Sequence, residues 1–98
     1  MKEITTTEVQ ERLEKGETLH LVDVREADEV AEGIIPGAIH IPLGEVPARL
    51  DELDKSKPYI FICRSGGRSG RATDFLTEEG YDVTNMVGGM LAWEGATE

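Results

Sequence analysis

Pro58-Tyr59-Ile60-Phe61-Ile62-Cys63-Arg64-Ser65-Gly66-Gly67-Arg68-Ser69 passes from an unbroken apolar stretch directly into a loop of small and cationic residues. Aromatic and β-branched side chains suit extended backbone, and a proline at the first position of a strand is tolerated there. The run carries no alternation of polar and apolar residues, which predicts a strand buried on both faces, as in a parallel sheet. The glycines and arginines that follow end the strand, and Ala72, Phe75 and Leu76 then recur at helical spacing within Ser69–Glu79, closed by Gly80.

The flanking sequence repeats this alternation. Upstream, Ile4 to Thr7 reads as a short edge strand leading into a helix, with Thr5 as N-cap, Glu8 as its capping-box partner, Val9 and Leu13 as the apolar stripe and Gly16 as the C-cap. Leu19 to Val24 reads as a second buried strand, Glu26 to Glu32 as a short acidic helix closed by Gly33, and Ile39 with its neighbours as a brief strand fenced by Pro36 and Pro42. Leu43 to Leu53 is predicted helical, with Pro47 in its first turn. Downstream, Asp82 to Val87 is a last strand, and Gly88-Gly89 leads into a short helix with Leu91 and Trp93. Strands alternating with helices predict an α/β fold: an open, mostly parallel sheet with helices on both faces.

The chain has 98 residues, a length that suits one domain, residues 1–98. Hydrophobic residues at 39% and charged residues at 31% match a soluble globular protein. There is neither an apolar run of membrane-spanning length nor a secretory leader pattern at Met1-Lys2-Glu3, and a lone cysteine suits a reducing compartment, so the expectation is cytoplasmic. The net charge of −10 repels nucleic acid and anionic membranes and argues against both as partners. Yet Arg64, Arg68 and Arg71 gather just after Cys63, and no acidic residue falls between Arg64 and Thr73. An acidic protein with one basic spot is arranged to receive a small anion there.

In open α/β sheets, ligands bind beyond the carboxyl ends of the strands, which is where Cys63 falls. Gly66 and Gly67 allow positive φ, so successive N–H groups can turn inward as an anion nest. A helix beginning near Ser69, with Ser69 as its N-cap, would point its amides at the same spot. Ser65 and Ser69 offer hydroxyl donors, and Arg64 and Arg68 add positive charge whichever way they point. All of this favours thiolate over thiol. A cysteine that closes an apolar strand is ordinarily a core residue; the glycine turn, the flanking arginines and the helix that follows count against that here.

Other residues receive plainer readings. Asp23 and Arg25, at the end of a buried strand, read as a supporting structural pair, and Arg71 acts only through its field. His20 and His40 read as packing or hydrogen-bonding residues without the spacing of a metal site. Trp93 reads as core, and Met86 and Met90 as an apolar wall near the mouth.

Taken in order, Asp23-Val24-Arg25-Glu26, then Gly33 with Ile35-Pro36-Gly37-Ala38-Ile39-His40-Ile41-Pro42, then Cys63-Arg64-Ser65-Gly66-Gly67-Arg68-Ser69, then Gly88-Gly89 with Trp93 resemble the successive motifs of the rhodanese domain, from about Ile4 to Trp93. Ile34 stands where that family often has a histidine, a position read as structural. The resemblance implies a rhodanese-type α/β fold and sulfurtransferase activity through a persulfide on Cys63. On that basis a small-molecule donor such as thiosulfate supplies a sulfane sulfur, and cyanide or a thiol accepts it. A protein thiol or persulfide is an equally compatible partner, and neither metal nor organic cofactor is required.

Two other classes remain open on the residues. Cysteine phosphatases and arsenate reductases place five residues between cysteine and arginine, whereas four separate Cys63 from Arg68; the smaller ring suits a single sulfur better than a tetrahedral oxyanion. A non-catalytic interaction module of the same fold would most simply have lost the cysteine, and Cys63 is present.

Overall fold

The computed structural model describes residues 1–98. Its elements run β1 (Lys2–Thr5), α1 (Thr6–Glu14), β2 (Leu21–Asp23), α2 (Ala27–Val30), β3 (Ile39–His40), a 3-10 segment (Leu43–Glu52), β4 (Pro58–Ile62), α3 (Gly67–Glu78), β5 (Asp82–Val87) and α4 (Gly89–Ala92). The strands form one sheet in the order β1-β5-β4-β2-β3, and every pairing is parallel. The expected α/β architecture is therefore present. β1 lies at the edge, as expected.

Strand β4 sits at the centre and divides the core by its pleat. Tyr59, Phe61 and Cys63 join Val22, Val24, Val46, Ala72, Leu76 and Val83 on the face covered by α3 and the 3-10 segment. Ile60 and Ile62 join Ile4, Val9, Leu21, Ile35 and Met86 on the opposite face, where Leu13 of α1 and Met90 and Trp93 at α4 pack. Burial on both sides explains why β4 has no polar alternation. It also brings Cys63, one residue past the strand end, onto the same face as α3.

Local signals account for most boundaries. The Glu8 N–H donates to Thr5 Oγ1 at 3.1 Å, which caps α1, and Gly16 follows the helix at φ +85°. The reciprocal half of the expected capping box is absent because the Glu8 carboxylate pairs with Arg12 instead. Leu43–Glu52 departs from the expected α-helix: it is two short 3-10 helices joined by a kink at Arg49, where φ is −117°. Pro47 has no N–H to donate, so a continuous i→i−4 ladder cannot form through it. No helix is long and apolar enough to cross a membrane.

Candidate active site

The nucleophile candidate is enclosed. Cys63 is 0% exposed and lies beneath the turn that its own loop makes before α3. Gly66 adopts φ +103° as the residue preceding α3, a conformation that turns its amide back toward the sulfur. The Gly66 N–H donates to Cys63 Sγ at 3.0 Å, and Ser69 Oγ lies 3.3 Å from the same atom. Helix α3 begins two residues earlier than its apolar periodicity suggested. Ser69 is thus not the N-cap: it lies inside the first turn, fully buried, with its hydroxyl over the sulfur. Gly67 is helical, so only Gly66 of the glycine pair uses positive φ.

The peptide groups of the loop are oriented from the other side. The Met90 N–H donates to the Cys63 carbonyl at 2.8 Å, and the Leu91 N–H donates to the Arg64 carbonyl at 2.9 Å. These are first-turn amides of α4, which lack partners within their own helix. With both carbonyls turned toward α4, the amides that follow are free to face Sγ. The approach is so close that a Cβ on Gly89 would stand 2.4 Å from the Arg64 carbonyl oxygen.

Burial alone pushes the Cys63 thiol up. The Ser69 hydroxyl and then the amides of Ser69, Gly66 and Ser65 more than offset this, and the net effect holds the thiol below its ordinary value. Hydrogen bonding to the thiolate therefore decides the direction, as expected for a loop of inward amides.

The arginines divide into different roles. Arg68 is bound through two hydrogen bonds, at 2.6 and 2.7 Å, to the Glu29 carboxylate of α2. Its charge is therefore matched by a carboxylate, so of the two loop arginines expected to add positive charge only Arg64 does so without an ion-pair partner. Arg64 is exposed and belongs to none of the salt bridges. It lines an open cleft of about 500 Å³ together with Glu29, Glu32, Met90, Leu91 and Thr97. Ser65 is exposed at the rim, and Arg71 lies outside the cleft, exposed, where it lines a separate small pocket with Leu43, Val46 and Phe75.

Asp23 and Arg25 form the expected structural pair. The guanidinium holds both carboxylate oxygens at 2.8–3.0 Å and donates onward to the carbonyls of Glu29 and Gly33. This fixes α2, and with it the Glu29 that grips Arg68. His40 Nε2 lies 2.6 Å from the Arg25 carbonyl, and His20 rests against Tyr59. Met86 is fully buried in the core and contributes no wall to the cleft, whereas Met90 does. Trp93 packs against the core half-buried, with its Nε1 donating to the Ala96 carbonyl.

Two contributors escaped the sequence reading, Glu29 and Asn85, and Gly89 was read only as part of a turn leading into a short helix. Asn85, on β5, is 3% exposed; it accepts from the Ser69 hydroxyl at 2.5 Å and donates through Nδ2 to the Gly66 carbonyl at 3.1 Å. Its only signal in the sequence is a carboxamide in an apolar strand, between Val83 and Val87.

Comparison with known proteins agrees with this architecture. The model of the rhodanese-like domain matches residues 5–96. A Bacillus subtilis protein named "Putative sulfurtransferase YtwF" is 51% identical over 98 residues, covering 100% of this chain and 95% of that protein. A protein of Allochromatium vinosum named "Sulfurtransferase" is 38% identical over 95% of this chain and 88% of its own length. The crystal structure of a rhodanese-like domain protein from Staphylococcus aureus superimposes with a TM-score of 0.95 at 37% identity, covering 100% of this chain and 97% of that one.

Proposed function

The chain belongs to the rhodanese-like domain family, and from that premise we propose that it is a sulfurtransferase, one rhodanese-like domain over residues 1–98, that carries a sulfane sulfur as a persulfide on Cys63. The observation that supports this reading is the convergence of the Gly66 amide and the Ser69 hydroxyl on Cys63 Sγ. The inward amides that favour a thiolate there also favour the anionic outer sulfur of a persulfide.

With thiosulfate as donor, the Cys63 thiolate attacks the outer sulfur. A new S–S bond forms, the old one breaks, and sulfite leaves with its electron pair. The doubly charged donor must approach a thiolate on a protein of net charge −10. Arg64, unpaired at the cleft, and the inward amides supply the compensating potential. A nucleophilic acceptor, cyanide or a thiol, then takes the terminal sulfur and regenerates the Cys63 thiolate. A small thiol and a protein-borne thiol both fit the acceptor step, and the cycle calls for no metal or organic cofactor. We assign the activity to the cytoplasm on the strength of its single, unpaired cysteine.

Phosphatase chemistry is less well supported, because Arg68, the residue nearest that signature, is engaged by Glu29.

The test is intact-mass measurement after incubation with thiosulfate. One added sulfur on the wild type, removed by cyanide and absent in Cys63→Ser, is the expected result. No added sulfur from thiosulfate or from any other sulfane donor would refute the reading.

A further inference from the structure

The hydrogen bonds around Ser69 cannot all exist at once. The Gly66 carbonyl can only accept, so the Asn85 carboxamide must present Nδ2 to it, at 3.1 Å. Asn85 Oδ1 is thereby fixed toward Ser69 Oγ, 2.5 Å away, and that contact requires the serine to donate. A hydroxyl has a single proton. Cys63 Sγ, 3.3 Å from the same oxygen, then faces a lone pair and can only donate its own S–H to Ser69. Once the sulfur is ionised it needs a donor, and the Ser69 proton can serve it only by leaving Asn85.

We propose that Asn85 is a positioning residue that keeps the Ser69 proton away from Cys63 while the sulfur is uncharged and gives it up when the thiolate forms. Through the Gly66 carbonyl, the same carboxamide holds the turn that supplies the inward amide. In the sulfur-transfer cycle, which rests on the function proposed above, Sγ is uncharged in the persulfide and becomes a thiolate again as the acceptor removes the outer sulfur. The Ser69 proton returns to Sγ at that step, where it stabilises the leaving thiolate. No atom is gained or lost in the exchange; one O–H···O bond is replaced by one O–H···S bond.

The charged groups facing Cys63 leave this exchange intact. Arg68 of α3 is held by Glu29, with Glu26 nearby. Asp23, at the end of β2, and Arg25, two residues beyond it, neutralise each other. Arg64 lies at the rim. On β5 the carboxylate of Asp82 pairs with Lys2, beyond the far end of the strand from the site.

The test is a thiolate titration by ultraviolet absorbance on wild type, Asn85→Leu, Ser69→Ala and the double variant, with no sulfur donor present. Competition for one proton predicts that removing Asn85 lowers the Cys63 midpoint by about one pH unit, a tenfold change in ionisation, relative to its effect in the Ser69→Ala background. A role confined to holding Gly66 would move both backgrounds equally, and that result overturns the proposal. Asn85→Asp loses the donor to the Gly66 carbonyl but, as a carboxylate, accepts more strongly from Ser69, so the part of its shift that vanishes in the Ser69→Ala background runs upward. This second variant decides the matter if Asn85→Leu does not fold. Persulfide formation is scored separately by mass, so loss of sulfur transfer and failure of the proton exchange are distinguishable.

Discussion

Arg68 and Glu29 are 39 positions apart in the chain yet meet in a two-bonded ion pair that ties the first turn of α3 to α2. The pair is about a quarter to a third exposed, so solvent screens part of its attraction. The Arg68 guanidinium nevertheless holds the Glu29 carboxyl down to about 2, from an ordinary 4.5.

Glu29→Gln should therefore destabilise the fold by about 1 kcal/mol near neutral pH, the range of a partly screened bidentate pair. The sign with pH follows from a folded pKa below the unfolded one. The contribution of the pair is complete above pH 4.5 and fades as pH falls toward 2. Urea unfolding of both proteins across that interval checks this. A stability difference that stayed constant down to pH 2 would mean that the carboxylate charge is not what Arg68 holds.

The enclosure of Cys63 predicts selective reactivity. Its thiol is held below the ordinary value, so the rate of alkylation should rise and level off at lower pH than the ~8.5 of a free thiol. Because the residue is 0% exposed, iodoacetamide should outpace a bulky maleimide by about tenfold or more, the reverse of their order with a free thiol. Stopped-time mass measurements over pH give both quantities. Equal ranking with a free thiol would show the sulfur to be openly accessible.

Arg64 is the loop cation left free to attract a donor. Arg64→Glu should raise KM for thiosulfate by about tenfold with a smaller change in kcat, since the effect lies in the approach of a dianion. Added salt should weaken thiosulfate turnover in the wild type and much less in Arg64→Gln. Steady-state kinetics at two ionic strengths tests this, and an unchanged KM would move anion recognition to the amides alone.

How far the site could be read from the sequence depended on the range of the interactions. The pleat of β4, with Tyr59, Phe61 and Cys63 on one face and Ile60 and Ile62 on the other, follows from composition and period, so the position of Cys63 at a strand end was legible. The start of α3 was misjudged because Gly67 and Arg68 carry no apolar periodicity, although they complete its first turn. The Leu43–Glu52 segment misled because Val46 and Leu50 match helical spacing while Pro47 denies the hydrogen bonds. Glu29 and Asn85 were invisible for another reason. Each acts across the fold, on Arg68 and on Ser69, and nothing local distinguishes them from a solvated acid and an ordinary strand residue.

Gly89 offers the sharpest test of how the loop is held. A methyl group at this position would stand 2.4 Å from the Arg64 carbonyl oxygen and 2.5 Å from that of Cys63, both backbone atoms at the end of the central strand. The residue also has φ +56°, where a Cβ adds about 1 kcal/mol of strain. Gly89→Ala should therefore cost about 2–4 kcal/mol, since the turn must move bodily. That movement withdraws the Met90 and Leu91 amides from the Cys63 and Arg64 carbonyls, so the peptides are free to rotate and the inward amides lose their aim. Persulfide formation in the folded fraction should fall by about tenfold or more, the scale of losing one aligned donor. Gly16→Ala is the control, with φ +85° and open space around the added carbon; it should cost only about 1 kcal/mol and leave transfer unchanged. If Gly89→Ala lowered stability but transferred sulfur at the wild-type rate, the hydrogen bonds from α4 would hold the fold together without aiming the loop.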